Sequence, residues 1–563
     1  MSRNLAYSIF AATALFFAVF FFLPIYHTLR GAFEGPNGFS LQYVFHIFGN
    51  ALYMEGLKNA FLIGVWSTAL CMAIALPLAV IANRFLFPGK AILGSLILIP
   101  LILPPFVGAI GIKQILGQQG ALNAFLSNLG LMDLDNPHDW LGENRFWGII
   151  IMNALHLYPI IYLNITAALA NLDPAMEEAA QDLGCTSYRR FWRITLPLMM
   201  PGVFAGCTIV FIWSFTELGV PLIFDFHRVT SVQIFDGLKD IGGNPLPYAL
   251  VAVMLLVSLI LYSISKFFFG RNSFTSSGRA SMASQARPLP VWQGYACTAL
   301  FVIITGLAVI PHFGVLFMSV AGDWYQTVLP TDLTLQHYGD ALGHELTVPS
   351  IANSLKYASL STLVDIVLGV AIAYVIVRTK IPGRGILDAI AMLPLAVPGL
   401  VLAFGYLALS AEGEIFHFLV PNGNPIFILV LAYAIRRLPY VVRSAVAGFQ
   451  QTSPTLEEAA QNLGATPQRA LVRITIPLIM ANLIAGGLLA FSFAMLEVSD
   501  SLILAQEQAH YPITKAIYSL LSALGNGPFL ASALGVWAMI FLAITLVGAS
   551  IALGKKLGAL FRV

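Results

Sequence analysis

Only 10 % of the 563 residues are Asp, Glu, Lys or Arg, against 58 % hydrophobic. An ionisable side chain inside an apolar run is therefore a candidate for function. Glu217 in WSFTELGVPL and Glu497 in FAMLEVSDSL align at a spacing of 280 residues. Arg436 and Arg437 in LAYAIRRLPYVVRSAV fall near the middle of another apolar run, and His156 in NALHLYPIIYLN aligns with Arg436. Cationic groups at matched depth suit a polar lining between two halves. The plain alternative is a pair of helices satisfied by backbone carbonyls and neighbouring acids. At roughly 1.5 Å per residue, Glu217 and Glu497 lie about 25 Å along their helices, close to the outer surface. There an outward gate or a partner contact competes with a simple interfacial glutamate that reaches water. Asp500 lies one turn beyond Glu497 and shares that reading. Neither paired catalytic carboxylates nor a metal-ligand cluster stand at a plausible spacing, which disfavours a membrane enzyme and a resident metal. Cys71, Cys185, Cys207 and Cys297 contain no CxxC pair and read as packing residues.

A second constellation is written twice. EEAAQDLGCTSYRRFWRITLPL at 177–198 returns as EEAAQNLGATPQRALVRITIPL at 457–478. In the first copy Asp173 can cap a helix that starts at Pro174, with Glu177 and Glu178 near its positive end; Ser453, Pro454, Glu457 and Glu458 take the same places in the second. Gly184 and Gly464 stand where a helix stop is wanted. Met176, Ala179, Ala180 and Leu183 fall at i, i+3, i+4 and i+7, as do Leu456, Ala459, Ala460 and Leu463. Each copy thus predicts a short capped amphipathic helix, a glycine turn and a basic segment that ends at Pro197 or Pro477. A helix lying in the lipid headgroups would show the same amphipathicity. The repeated spacing of acids, small residues and glycine favours a protein docking surface.

These residues must be positioned by membrane-spanning helices, each needing about 20 apolar residues. Spans are expected near 5–26, 57–84, 91–116, 146–170, 198–222 and 247–269. A second set is expected near 292–319, 351–378, 386–410, 425–449, 480–505 and 530–553. The first run carries no convincing cleavage site and reads as an uncleaved span. Pro100, Pro104, Pro105, Pro394 and Pro398 would break the third and ninth spans. Basic residues gather on the side of the charged repeats, which places that side, both repeats and both termini in the cytoplasm. The fold class is all-α: a polytopic membrane protein of about twelve helices in two parallel six-helix modules, 1–269 and 291–563, joined by a polar linker at 270–290. Pro88-Gly89-Lys90 and Pro382-Gly383-Arg384 align at an offset of 294, but Pro159 and Pro439 at 280, so the first half carries extra residues in an outside loop. A formal net charge of +2 argues against a nucleic-acid partner.

The pattern E-A-A, three residues, G, nine residues, I-x-L-P resembles the cytoplasmic-loop signature of bacterial ABC importer permeases. Glu178-Ala179-Ala180, Gly184 and Ile194-Thr195-Leu196-Pro197 match it fully. Glu458-Ala459-Ala460, Gly464 and Ile474-Thr475-Ile476-Pro477 match with Ile476 for the leucine. The whole chain is similar to a fused type I permease of the ferric-iron group. The resemblance implies that each loop seats a helix in an ATPase subunit. Two ATPase copies, a periplasmic solute-binding protein and membrane lipid are then the expected partners. No Walker A loop is present: Gly89-Lys90 is followed by Ala91 and Gly554-Lys555 by Lys556. ATP and Mg²⁺ are accordingly expected on the partner subunits, with no cofactor on this chain. Ferric iron is the leading solute, while 2-aminoethylphosphonate, thiamine and polyamine permeases share the architecture. An ion-coupled secondary transporter, the competing class, has no use for a repeated alanine-glycine loop.

Overall fold

The computed structural model describes residues 3–35, 38–142, 145–170, 172–240, 244–269, 286–523 and 525–553. Residues 270–285 of the linker and the basic residues at 555, 556 and 562 therefore lie outside the described residues. Among those described, nine helices are long and apolar enough to cross a bilayer. Two further segments qualify as bent pairs: Lys90–Leu101 with Pro105–Asn128 turns by 93°, and Arg384–Leu395 with Gly399–Leu409 by 94°. Ile426–Gln451 has 26 residues and reaches twelve by length, although Arg436, Arg437 and Arg443 interrupt its apolar character.

The two bent segments are the third and ninth spans, the ones the prolines are expected to break. Proline supplies no amide to the helix ladder and its ring clashes with the preceding turn. Tight turns at Ile99–Leu101 and Leu393–Leu395 open the breaks, and Pro104 and Pro398 begin the second pieces. The aligned prolines break both halves at the same place.

Within each half the second, fourth and fifth spans pack together: Ala51–Arg84 with Phe146–Ala170 and Leu196–Phe215, and Thr347–Arg378 with Ile426–Gln451 and Ile476–Met495. The repeat extends to single bonds. Asn59 donates to the Arg228 carbonyl at 2.7 Å, and its counterpart Asn353 to the Ala509 carbonyl at 2.9 Å.

The first span of each half crosses to the other half. Leu23–Phe33 packs on Gly399–Leu409, and Val291–Val320 packs on Pro105–Leu116. Small residues let helices approach closely in lipid, where no hydrophobic force drives them together. At the crossings the approach leaves no room for a side chain. A Cβ on Gly111 would lie 2.5 Å from the Pro311 carbonyl oxygen, and one on Gly405 would lie 2.6 Å from that of Pro24. Gly111 and Gly405 align at the 294 offset, so the two halves are interlocked twice by one device.

Candidate functional site

The two helix breaks face each other across a cavity of about 160 Å³, room for on the order of ten waters. Pro104, Pro105, His156 and Glu217 line it from the first half, and Pro398, Arg436, Arg437 and Glu497 from the second. Five of the six intramembrane residues singled out in the sequence therefore meet in one space, and the sixth, Asp500, is buried beside it and bonded to Arg436. Glu217 and Glu497 share this cavity with His156 and the arginines. Each helix ends beside its glutamate, at Phe215 or Met495, and the chain turns into a short new helix over Gly219–Ile223 or Ser499–Leu504. That turn carries the carboxylate inward.

The glutamates hold these turns in the same way. Glu217 Oε1 accepts from the amides of Gly219 at 3.0 Å and Val220 at 3.2 Å, and Glu497 Oε1 accepts from Asp500 N at 3.2 Å. A carboxylate there satisfies amides that the new helix leaves open.

Beyond that cap the halves differ. Arg436 Nη1 donates to Glu497 Oε1 at 2.6 Å and to Asp500 Oδ2 at 3.2 Å, while Arg437 Nη2 donates to Glu497 Oε2 and to the Phe493 carbonyl at 3.0 Å. Arg437 is buried, Asp500 is fully so, and Arg436 keeps 22 % of its side chain exposed toward the cavity. In the first half the arginine positions are His156 and Leu157, and Asp500 becomes Val220. Among the described residues no cation of its own half pairs with Glu217. A second difference accompanies the first: Pro105 is replaced by Gly399, whose Cβ would collide with the Arg436 guanidinium. The larger cation and the missing side chain belong together. His156, by contrast, lies against the Pro100 backbone and lines a smaller space with His312. Of the residues that line the cavity, Glu217 and Glu497 balance Arg436 and Arg437 in formal charge.

The charged repeats form matching features in the two halves. Pro174–Asp182 is capped by Asp173, whose Oδ1 accepts from Ala175 N at 3.0 Å. Thr455–Asn462 begins after Ser453, whose hydroxyl accepts from Thr455 N at 3.3 Å. Gly184 and Gly464 take φ of +78° and +88°, and each turn closes with a six-residue bond, from Cys185 N to the Ala180 carbonyl and from Ala465 N to the Ala460 carbonyl, both 3.0 Å. Glu178, Ala179, Glu458 and Ala459 are exposed, as are both glycines; Ala180 is buried and Ala460 half-buried. Leu183 and Leu463 are 88 % and 90 % exposed. The apolar stripe thus points largely away from its own half and offers a ridge without a partner among the described residues. The two glutamates of each copy part company, Glu178 and Glu458 outward, Glu177 and Glu457 inward toward arginines.

Two features escaped sequence reasoning. Asp365 is wholly buried within Thr347–Arg378, neither carboxylate oxygen has a hydrogen-bond partner among the described residues, and Arg437 is the charge that acts on it. Its counterpart is Cys71, so the repeat hid it. Arg84 and Arg378, the inward partners of Glu177 and Glu457, were legible: arginine, glutamate and Thr195 or Thr475 all recur at the offsets of their regions.

Residues 75–273 and 365–551 match the family model described as binding-protein-dependent transport system inner membrane component. Each stretch contains one charged repeat and one side of the cavity. The chain is 29 % identical over 520 residues to the putative ferric transport system permease protein FbpB 1 of Haemophilus influenzae, covering 87 % of this chain and 77 % of that one. It is 28 % identical over 470 residues to the ferric transport system permease protein FbpB of Actinobacillus pleuropneumoniae, covering 81 % of this chain and 64 % of the relative. A chain from a bacterial ABC transporter involved in the import of the acidic polysaccharide alginate aligns at 20 % identity with a TM-score of 0.39, over 48 % of this chain and 96 % of that one. This chain belongs to the binding-protein-dependent transport system inner membrane components: a multi-pass transport subunit, not itself a catalyst.

Proposed function

We propose that this chain is the permease of an ATP-driven ferric iron importer. Two copies of a cytoplasmic ATPase seat on the two charged-repeat helices, and a periplasmic solute-binding protein delivers iron at the opposite face. ATP and Mg²⁺ belong to those ATPase subunits. The modules are 1–269 and 291–563, joined by the linker 270–290, with both termini cytoplasmic.

The observation that carries this reading is the duplicated docking helix. Each copy is capped, stopped by a left-handed glycine and crowned by a leucine about nine-tenths exposed. A leucine so placed gains by entering a partner's pocket, about 1.5–3 kcal/mol for full burial of such a side chain. Motor-driven closure then moves the halves that enclose the cavity. The iron assignment is supported by the two ferric permeases named above. Uptake of ferric iron by iron-starved cells lacking the chromosomal copy, with and without the plasmid-borne gene, tests it. Restored uptake that requires the ATPase and the binding protein is expected. Restoration of molybdate, thiamine or polyamine uptake without ferric uptake overturns the iron assignment and leaves the docking reading standing.

A further inference from the structure

Each docking helix is tied back to its own half by three side chains that a docking surface alone does not need. In the first half Arg84 Nη2 donates to Glu177 Oε1 at 2.5 Å and to Thr195 Oγ1 at 2.8 Å, and the Thr195 hydroxyl donates to that same glutamate oxygen. In the second, Arg378 Nε donates to Glu457 Oε1 at 3.0 Å and the Thr475 hydroxyl to the same oxygen at 2.9 Å. The three members come from three elements. Arginine is the last residue of the second span, Ala51–Arg84 or Thr347–Arg378. Glutamate lies on the docking helix. Threonine closes the wide helical turn Phe191–Thr195 or Leu471–Thr475 that leads into the fifth span.

Arginine and glutamate are 93 residues apart in one half and 79 in the other, yet the extra residues in the first half leave the contact intact. Charge-assisted bonds of this kind are the strong ones, and burial spares them from screening. Without them a nine-residue helix on a glycine turn would pivot under load.

We infer that the Arg84–Glu177–Thr195 and Arg378–Glu457–Thr475 triads are force-transmitting latches. They make the docking helix, the second span and the start of the fifth span move as one body when a partner pulls the helix. The inference rests on the docking reading of the charged repeats. The latches are unequal. Arg378 and Glu457 are each 9 % exposed, against 19 % and 26 % for Arg84 and Glu177. Arg378 also donates to the Thr452 carbonyl at 2.7 Å and stands over the Phe449 ring at 5.5 Å. The second half therefore transmits more stiffly, and losing its latch is the greater loss.

The test uses the whole complex with its ATPase subunits, in a background whose four cysteines are replaced. Spin labels go at Leu86 and Lys380, just beyond the second spans, and in a separate preparation at Asp182 and Asn462 on the docking helices. Distances are read without nucleotide and after trapping with ATP and vanadate. In the parent both label pairs shift. In Arg84→Met/Arg378→Met the docking pair still shifts and the ATPase is retained, but the span pair stays put. Uptake falls about tenfold, within the range typical of coupling between sites. Arg378→Met alone has the larger effect of the two single changes, and the swap Arg378→Glu/Glu457→Arg restores the span response. Should the methionine variants fail to fold, Thr195→Val/Thr475→Val removes only the hydroxyls and weakens the same response. An undiminished span response in the double variant overturns the latch. So does loss of the ATPase from it, because the triads would then shape the docking face instead. A parent chain that retains no ATPase defeats the docking reading itself, and the latch with it.

Discussion

Replacing Gly184 and Gly464 separates two reasons for placing glycine at the end of a docking helix. Both residues sit at positive φ, and a Cβ built on either meets nothing within 4 Å. Crowding inside the chain is therefore absent, and the cost of a side chain is purely conformational. For an L-residue in the left-handed region that cost is about 1–2 kcal/mol. One to two kcal/mol changes a population ratio by about 5–30-fold, so a single alanine depopulates the docking-competent turn by that factor. Asparagine, whose short side chain bonds locally, visits this region most readily after glycine, and a β-branched residue does so worst. Variants with Asn, Ala or Val at both positions are expected to retain ATPase in that descending order, at equal permease levels in the membrane. Uptake follows the same order. The assay is the ratio of ATPase to tagged permease after detergent extraction. Equal loss with Asn and Val would refute the conformational argument, since it would mean that the partner's surface presses on the glycine itself. Full retention in every variant would show that the turn does not set the docking geometry.

The interlocked first spans give a second prediction. Gly111→Ala and Gly405→Ala each force a methyl into a backbone contact, an overpacking cost of about 1–3 kcal/mol. The purified permease should melt lower with either change and lower still with both; unchanged melting would contradict the close approach. The aligned glutamates should respond differently to one chemical change. Glu497→Gln removes a buried partner from two arginines, at a cost of about 3–5 kcal/mol, whereas Glu217→Gln keeps an acceptor for the Gly219 and Val220 amides and breaks no ion pair. Thermal unfolding distinguishes them, and equal destabilisation would argue against the asymmetric cluster. Glu217→Gln should still alter uptake with the ATPase retained. A pH effect is expected at Asp225, where burial raises the carboxyl but Lys113 at 2.9 Å and Arg145 at 2.8 Å outweigh it and hold it below its usual range. Its stabilisation is present above the ordinary carboxylate pKa, about 3.9, and is lost as pH falls through the lower folded value. Because 63 % of that side chain is exposed, Asp225→Asn should cost under about 1 kcal/mol at neutral pH, and nothing in strong acid. A difference that persists in strong acid would exclude the ion pairs as its source.

The docking helices were the most legible part of the molecule, because every device in them is local. Asp173 caps, Gly184 stops and the acids lie near the positive end, all within one turn of where the residue types place them. The kinks were legible for a similar reason, since proline acts on its own helix. The shared cavity was not. Residue counting along a straight helix gives no sign that the chain breaks after Phe215 and Met495 and turns Glu217 and Glu497 into the space between the halves. Contacts between distant segments were also hidden, including the crossing of Gly111 with Pro311 and the Arg437 field on Asp365. Each needs the three-dimensional arrangement of helices that share no local signal. Gly399 is a special case. Its exchange for Pro105 makes sense only once Arg436 is seen filling the place a side chain would have taken.

If each docking helix seats one ATPase subunit, one chain carries two motors. The most direct measurement is the mass of the intact detergent-purified complex by native mass spectrometry, with ATPase counted per permease. Two ATPase subunits are expected on each chain, falling to one when a single docking glycine is replaced by valine. A chain that carries none, and drives solute across vesicle membranes on an ion gradient alone, would contradict it.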